Sequence, residues 1–288
     1  MSIQKISEAD LIINPDGSIY HLNLLPEDVA DIVITVGDPD RVGEVSKHFD
    51  SIDLKKGKRE FITHTGNLGS KRITVISTGI GTDNIDIVLN ELDALVNIDF
   101  ETRTVKSELK SLDIIRIGTS GSIREDIPVG SILASTHGLG LDALMDYYEP
   151  NNNIEDLYLQ QKINKHLGLE QLRPYLTAGS SKLLQQIGHD LLQGITVTAP
   201  GFYSPQGRKV RANNRFEGLI DKLSTFEHQK QKLTNLEMET AGIYALANIF
   251  GHQALSVNAI LAQRKKLEFA KDPQKIVDKM IKLVLERI

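Results

Sequence analysis

The chain has 288 residues, 40% of them hydrophobic, which allows one large or two modest domains with a substantial core. A formal net charge of -5 excludes the basic face of a general nucleic-acid binder, and 5% aromatics without tryptophan leaves little to stack single-stranded bases. With no cysteine there are no disulfides and no thiolate chemistry, no run approaches a membrane span, and the first ten residues lack a basic segment followed by an apolar core; the expectation is a soluble, cytoplasmic protein without a membrane partner.

An anionic small substrate stays open, and would have to be held by a few arginines against this acidic background. Asn14-Pro15-Asp16-Gly17 predicts a turn, followed by a short extended piece, Ile19-Tyr20-His21-Leu22. The β-branched run over 32–36 predicts a buried strand leading into Gly37-Asp38-Pro39-Asp40-Arg41-Val42. Glycine at a strand end, aspartate as N-cap and proline at the first helical position make a strand-to-helix turn with free amides that can hold an anion. Arg41 in that first turn is unfavourable for the helix dipole unless an anion offsets it.

Residues 55–59 form a basic run, read as a solvated face, and 61–65 and 73–77 predict strands joined by Gly66-Asn67-Leu68-Gly69. Thr78-Gly79-Ile80-Gly81-Thr82 then opens a helix whose apolar stripe is Ile85, Val88, Leu89, Leu92, Leu95 and Val96. Gly79-Ile80-Gly81 invites a dinucleotide reading, but Asn84 stands where the third glycine belongs. Mixed charge over 101–110 predicts a surface loop or helix end.

Ile114, Ile115 and Ile117 predict a buried strand, yet Arg116 interrupts them just before a small-residue turn, Gly118-Thr119-Ser120-Gly121-Ser122. A charge there needs an anion: arginine, amides and hydroxyls converge on a phosphate, or the arginine merely snorkels from a strand end. A further strand covers 131–134, and the polar stretch 150–174 predicts a peripheral insertion. A helix over 180–192, stopped by Gly194, precedes a strand at 195–199.

That strand runs into Phe202-Tyr203-Ser204-Pro205-Gln206-Gly207-Arg208, which is an ordinary exposed loop or supplies what a flat heterocycle needs: a ring, an amide and a planar cation. Leu236-Glu237-Met238-Glu239 predicts the start of a helix, where two carboxylates complement the dipole or grip a diol. Residues 254–261 predict the final strand, with Gln263-Arg264 at its far end, and Asp272-Pro273 caps a last amphipathic helix. No cluster has metal-ligand spacing.

Strands alternate with helices, and the unusual residues recur at strand ends, where open α/β sheets bind ligands. Gly37-Asp38-Pro39-Asp40-Arg41-Val42, Ser77-Thr78-Gly79-Ile80-Gly81, Arg116-Ile117-Gly118-Thr119-Ser120-Gly121 and Glu237-Met238-Glu239 stand in the order seen in the nucleoside phosphorylase-I family. Over roughly residues 18–286 the chain resembles that family, and the 202–208 loop resembles the base-recognition loop of its uridine phosphorylases. Purine-specific relatives carry a Ser-Asp pair where this chain reads Ala262-Gln263-Arg264, which favours uracil over a purine.

The resemblance implies a single α/β domain over residues 1–288, with a mixed, partly barrel-like central sheet flanked by helices. It implies reversible phosphorolysis of a pyrimidine nucleoside in pyrimidine salvage, a pentosyl transfer with inorganic phosphate as co-substrate and no cofactor or metal. By that likeness Gly37, Arg41, Arg116 and Thr119 hold phosphate, with Arg59 from a neighbouring subunit. His21 likewise reaches across to the sugar, Met238 and Glu239 seat it with Glu237 close by, and Phe202, Gln206, Arg208 and Arg264 hold the base. Arg208, Arg116 and Glu239 are the implied catalytic residues, and two residues acting across subunits imply at least a dimer, with a hexamer compatible. Gly81-Thr82-Asp83-Asn84 departs from the usual Gly-Gly-Pro-Ser loop, so the family's interfacial monovalent-cation site is not carried over. The rivals are a purine nucleoside phosphorylase, a hydrolytic nucleosidase and a non-catalytic nucleoside binder.

Overall fold

In a computed structural model describing residues 5–288, β-branched runs form strands wherever both faces can be covered. The first four residues of the expected domain, and of the amino-terminal stretch read above, lie outside the described residues. In chain order the elements are β1 (Ile32–Val36), α1 (Pro39–Ser46), β2 (Ser51–Lys58), β3 (Phe61–Leu68), β4 (Lys71–Ser77), α2 (Thr82–Asn97), β5 (Ile98–Asp99) and β6 (Thr104–Val105). Then follow β7 (Asp113–Ser122), β8 (Ile132–Gly140), α3 (Ile154–Leu167), β9 (Tyr175–Ala178), α4 (Ser181–Ile187), β10 (Leu192–Thr198) and α5 (Leu219–Ser224). β11 (Glu227–His228), β12 (Gln231–Glu237), α6 (Thr240–Phe250), β13 (Gln253–Gln263), β14 (Glu268–Phe269) and α7 (Pro273–Arg287) complete the chain.

One mixed sheet runs β11-β12-β10-β8-β13-β7-β1-β4-β3-β2. β12 also pairs antiparallel with β7, Asn235 opposite Ser122 and Leu236 opposite Gly121, so β7, β13, β8, β10 and β12 close into a barrel. The expected partly barrel-like sheet flanked by helices is therefore what forms. Layers of Ile34, Val36, Ile115, Ile117, Leu255 and Val257 pack against α7 on one side. On the other side α2 and α6 bury Ile85, Leu89, Leu92, Ile243 and Leu246. α6 can sit this close because Gly138 on β8 has no side chain: a Cβ there would lie 2.6 Å from the Ala241 Cα.

The structure corrects several expectations. Gly118 to Ser122 do not turn; they continue β7, paired with β13 as far as Ser122 opposite Gln263, because small residues let the strand curve into the barrel. Leu236 and Glu237 end a strand, and α6 starts only at Thr240. The helix expected over 180–192 stops at Ile187, and Leu192 already belongs to β10, since pairing with β8 outweighs the helical spacing of the leucines. The basic run at 55–59 is the solvated face expected of it, and lies largely on the edge strand β2, which suits a sheet edge that must not pair with another chain. The polar stretch 150–174 carries α3, whose buried Leu159, Ile163 and Leu167 join a satellite core with α5. Residues 101–110 form a surface loop as expected, and include the turn of the small β5–β6 hairpin. Among the described residues, no helix is long and apolar enough to cross a membrane.

Candidate active site

The carboxyl ends of β1, β4, β10 and β12 open on one cavity of about 840 Å³. The β1–α1 turn contributes Gly37, Asp38 and Arg41; the β4–α2 turn contributes Gly79, Ile80 and Asn84; β7 contributes Arg116, Thr119, Ser120 and Gly121. Phe202, Gln206 and Arg208 follow β10, and Glu237, Met238 and Glu239 link β12 to α6. Motifs up to about 200 residues apart in the sequence thus meet, and ten of the thirteen candidate residues line the cavity.

The first turn of α1 forms as its sequence dictates. The Asp38 side chain accepts from the Asp40 N–H at 3.0 Å, and Pro39 leads the helix. Burial holds the Arg41 guanidinium below its ordinary pKa, Asp38 opposes that, and the Arg116 charge adds to it.

Arg116 is only 5% exposed. Its Nη2 donates to Glu239 Oε2 at 2.6 Å and stands 3.0 Å from Glu237 Oε2, while Nη1 donates to Asn258 Oδ1 at 3.0 Å. The charge on this strand does need an anion, and in the protein alone the anions are two carboxylates rather than a phosphate. Gly118 serves this arginine. A Cβ there would lie 1.8 Å from Arg116 Nη1, so the missing side chain makes room for the arginine, not for a ligand.

Glu237 is held on both oxygens. Its Oε1 accepts from Thr198 Oγ1 at 2.6 Å and its Oε2 from the Glu239 and Thr240 N–H groups, each at 2.9 Å, which anchors the start of α6. Glu239 takes the Gly81 N–H on Oε1 at 2.9 Å. Each Glu239 oxygen accepts one hydrogen bond from the protein and keeps a free lone pair for a ligand hydroxyl. Burial pushes its pKa up, Arg116 resists, and Glu237 adds to the rise. Burial alone would lower the pKa of Arg116, but Glu237 and Glu239 overcome it and hold the guanidinium above its ordinary value.

The opposite end of the cavity is looser. Phe202 is 51% exposed, and the Arg208 guanidinium lies 3.7 Å from its ring centroid. Arg208 Nη1 donates to the Phe202 carbonyl at 2.7 Å and to Gln206 Oε1 at 2.6 Å. A guanidinium has only hydrogens to offer, so the Gln206 amide must turn its oxygen to Arg208 and keep Nε2 as a donor. Burial and the nearby Arg264 charge lower Arg208 to about 10, leaving it charged near neutrality.

Arg264, His21 and Arg59 do not line the cavity. Arg264 stands behind it, Nη1 donating to the Gln206 carbonyl at 3.0 Å. His21 places Nδ1 2.6 Å from Glu91 Oε1 on α2, and Arg59 is exposed at the β2–β3 turn with a φ of 58°. The sequence reasoning missed Glu60, Asn84 and Phe269 as lining residues. Ser120 stood within a motif already singled out, whereas Phe269 arrives on the β13–β14 hairpin without any sequence signal.

The family model of the phosphorylase superfamily matches residues 31–288. Uridine phosphorylase from Thermococcus kodakarensis is 29% identical over 99% of this chain and 93% of its own length, and that of Escherichia coli is 26% identical over 93% and 96%. The solved structure of a Trypanosoma brucei nucleoside phosphorylase, described as showing uridine phosphorylase activity, has a TM-score of 0.88 at 30% identity, covering 96% of this chain and 99% of that one. With this fold, this cavity and a match that runs from β1 to the last residue, the chain belongs to the phosphorylase superfamily.

Proposed function

We propose that the chain is a uridine phosphorylase, a pentosyltransferase that reversibly converts uridine and phosphate to uracil and ribose 1-phosphate. The observation that carries this reading is one cavity with an arginine and hydroxyl end, Arg41, Arg116 and Thr119, and a ring, amide and cation end, Phe202, Gln206 and Arg208. Glu237, Met238 and Glu239 line the same cavity, the two carboxylates against Arg116, and suit a sugar.

Breaking the glycosidic bond leaves positive charge on the ribose and negative charge on uracil. The Glu239 carboxylate lies where the sugar cation develops, and its free lone pairs suit the ribose hydroxyls. Phosphate, held by Gly37, Arg41, Arg116 and Thr119, is the nucleophile and a counter-charge to the ribose. Arg208 faces the departing uracil, and Gln206 Nε2 offers a donor to a uracil carbonyl.

Gln263 supports a pyrimidine over a purine. Its Nε2 donates to the Arg124 carbonyl at 2.8 Å and its Oε1 accepts the Lys265 and Lys266 N–H groups at 2.7 and 2.8 Å, so it shapes a turn and presents no acid to a base. The working unit is a homo-oligomer, at least a dimer, in which His21 and Arg59 complete a neighbour's site; their position off this chain's own cavity supports it, and sedimentation velocity checks it. The enzyme works in the cytoplasm with phosphate as co-substrate and no cofactor.

Base release measured with uridine, thymidine, inosine and adenosine, with and without phosphate, tests the reading. Phosphate-dependent release of uracil is the expected result; phosphate-independent release means a hydrolase, preference for inosine or adenosine a purine enzyme, and binding without release a nucleoside-binding protein.

A further inference from the structure

Inside the barrel two polar side chains from β7 and one from each of the other four strands join a ring of hydrogen bonds that begins and ends on the cavity wall. Arg116 Nη1 reaches Asn258 Oδ1 on β13 at 3.0 Å, and Asn258 Nδ2 reaches Ser135 Oγ on β8 at 3.1 Å. Ser135 Oγ lies 2.5 Å from Thr196 Oγ1 on β10, which lies 2.9 Å from Asn235 Oδ1 on β12. Asn235 Nδ2 closes the ring on Ser120 Oγ of β7 at 2.9 Å. Asn258, Ser135, Thr196 and Asn235 are each fully buried, whereas Arg116 and Ser120 line the cavity.

The direction of every bond in this ring follows from its first member. A guanidinium can only donate, so Asn258 must present its oxygen to Arg116 and its amide hydrogens to Ser135. Ser135 then accepts from Asn258, and the remaining neighbour for its own hydrogen is Thr196; any other placement leaves a buried hydroxyl unpaired. Thr196 must in turn donate to Asn235, whose oxygen also takes the Thr234 hydroxyl at 2.8 Å. That leaves the Asn235 amide to donate to Ser120. With that bond accepted, the Ser120 hydrogen has no protein acceptor among the described residues and points at the cavity.

We propose that Arg116, through this ring, leaves the Ser120 hydrogen free for the ligand, so the wall at Ser120 offers a donor to an acceptor oxygen. Asn258 and Asn235 are positioning residues in this arrangement. They touch no ligand, yet they fix which way the Ser120 hydroxyl faces. The functional half of the test rests on the uridine phosphorylase reading; the structural half does not.

Ser120→Ala is expected to lower kcat/KM for uridine roughly 3- to 10-fold, the range for one neutral hydrogen bond. Asn235→Asp puts an acceptor opposite Ser120, turns its hydrogen away from the cavity and is expected to cause a similar loss. In a Ser120→Ala background Asn235→Asp should then cost less than about twofold more, because the hydroxyl it acts through is gone. Losses that multiply would mark Asn235 as merely structural and overturn the proposal. Neutron diffraction on deuterated crystals of the unaltered protein reads the polarity whatever the substrate is and however the variants fold. A deuteron between Asn235 Nδ2 and Ser120 Oγ carried by the nitrogen, with the Ser120 deuteron toward the cavity, is expected; a Ser120 deuteron directed at Asn235 refutes the inference. Failure of uridine turnover in the unaltered protein would remove the functional reading and leave the neutron result to decide the ring.

Discussion

The two ends of the cavity are built on opposite principles. At one end Arg116, Glu237 and Glu239 are nearly dry and lock one another through backbone amides, Thr198 and Asn258. At the other, Arg208 rests on a half-exposed Phe202 and shares Gln206, with room to readjust. A buried ion cluster tolerates almost no movement, because a charge that loses its partner in a low-dielectric interior is strongly destabilising. A cation on an exposed ring loses little by moving. The Arg116 end is therefore preorganised, whereas the Arg208 end has freedom to adjust.

Substitutions at the two ends should differ in kind. Arg116→Met leaves two carboxylates in a dry pocket facing each other; we expect a stability loss of about 3–5 kcal/mol in urea unfolding, and no measurable turnover. A variant of normal stability would show that the cluster is not the rigid end. Arg208→Ala should leave the unfolding midpoint nearly unchanged and lower kcat by roughly 100-fold, about 3 kcal/mol of transition-state stabilisation, with the loss in the chemical step. Turnover close to normal in steady-state assays would remove Arg208 from the chemistry.

A pH series sharpens the contrast. Burial raises the folded-state pKa of Glu239 above its ordinary 4.5, so its contribution to stability is fully present below that value and fades as pH rises through the folded pKa. The difference in Tm between the unaltered protein and Glu239→Gln should therefore fall as pH climbs from about 4.5 across this window, and a difference that grows would contradict it. The smallest effect belongs to Phe202→Ala. Loss of an exposed cation–π contact is worth about 0.5–1 kcal/mol, visible as a few-fold rise in nucleoside KM without a change in Tm.

Several parts of this arrangement were legible before any fold was known. Asp38 and Pro39 specify the start of α1 through local hydrogen bonding and a fixed φ, so that strand-to-helix turn could be read directly. The stripe from Ile85 to Val96 likewise specified α2, and its members are buried as the spacing required. β12 escaped notice because its buried residues, Leu233 to Glu237, include threonine, asparagine and glutamate, which take barrel positions only once four other strands surround them. Glu237 looked like part of a helix start for the same reason: it caps α6 from the end of a strand, a geometry no periodicity records.

By itself the sequence determined which residue types stand at strand ends and the local chemistry of the turns, since capping, proline geometry and apolar spacing act over a few neighbours. Only the tertiary structure decided which charge faces which. Arg116 is followed 121 and 123 positions later by Glu237 and Glu239, and it meets them because β12 pairs back onto β7 and closes the barrel. Nothing in the chemistry of an isolated arginine says that two carboxylates will flank it; barrel closure brings them within 3.0 Å.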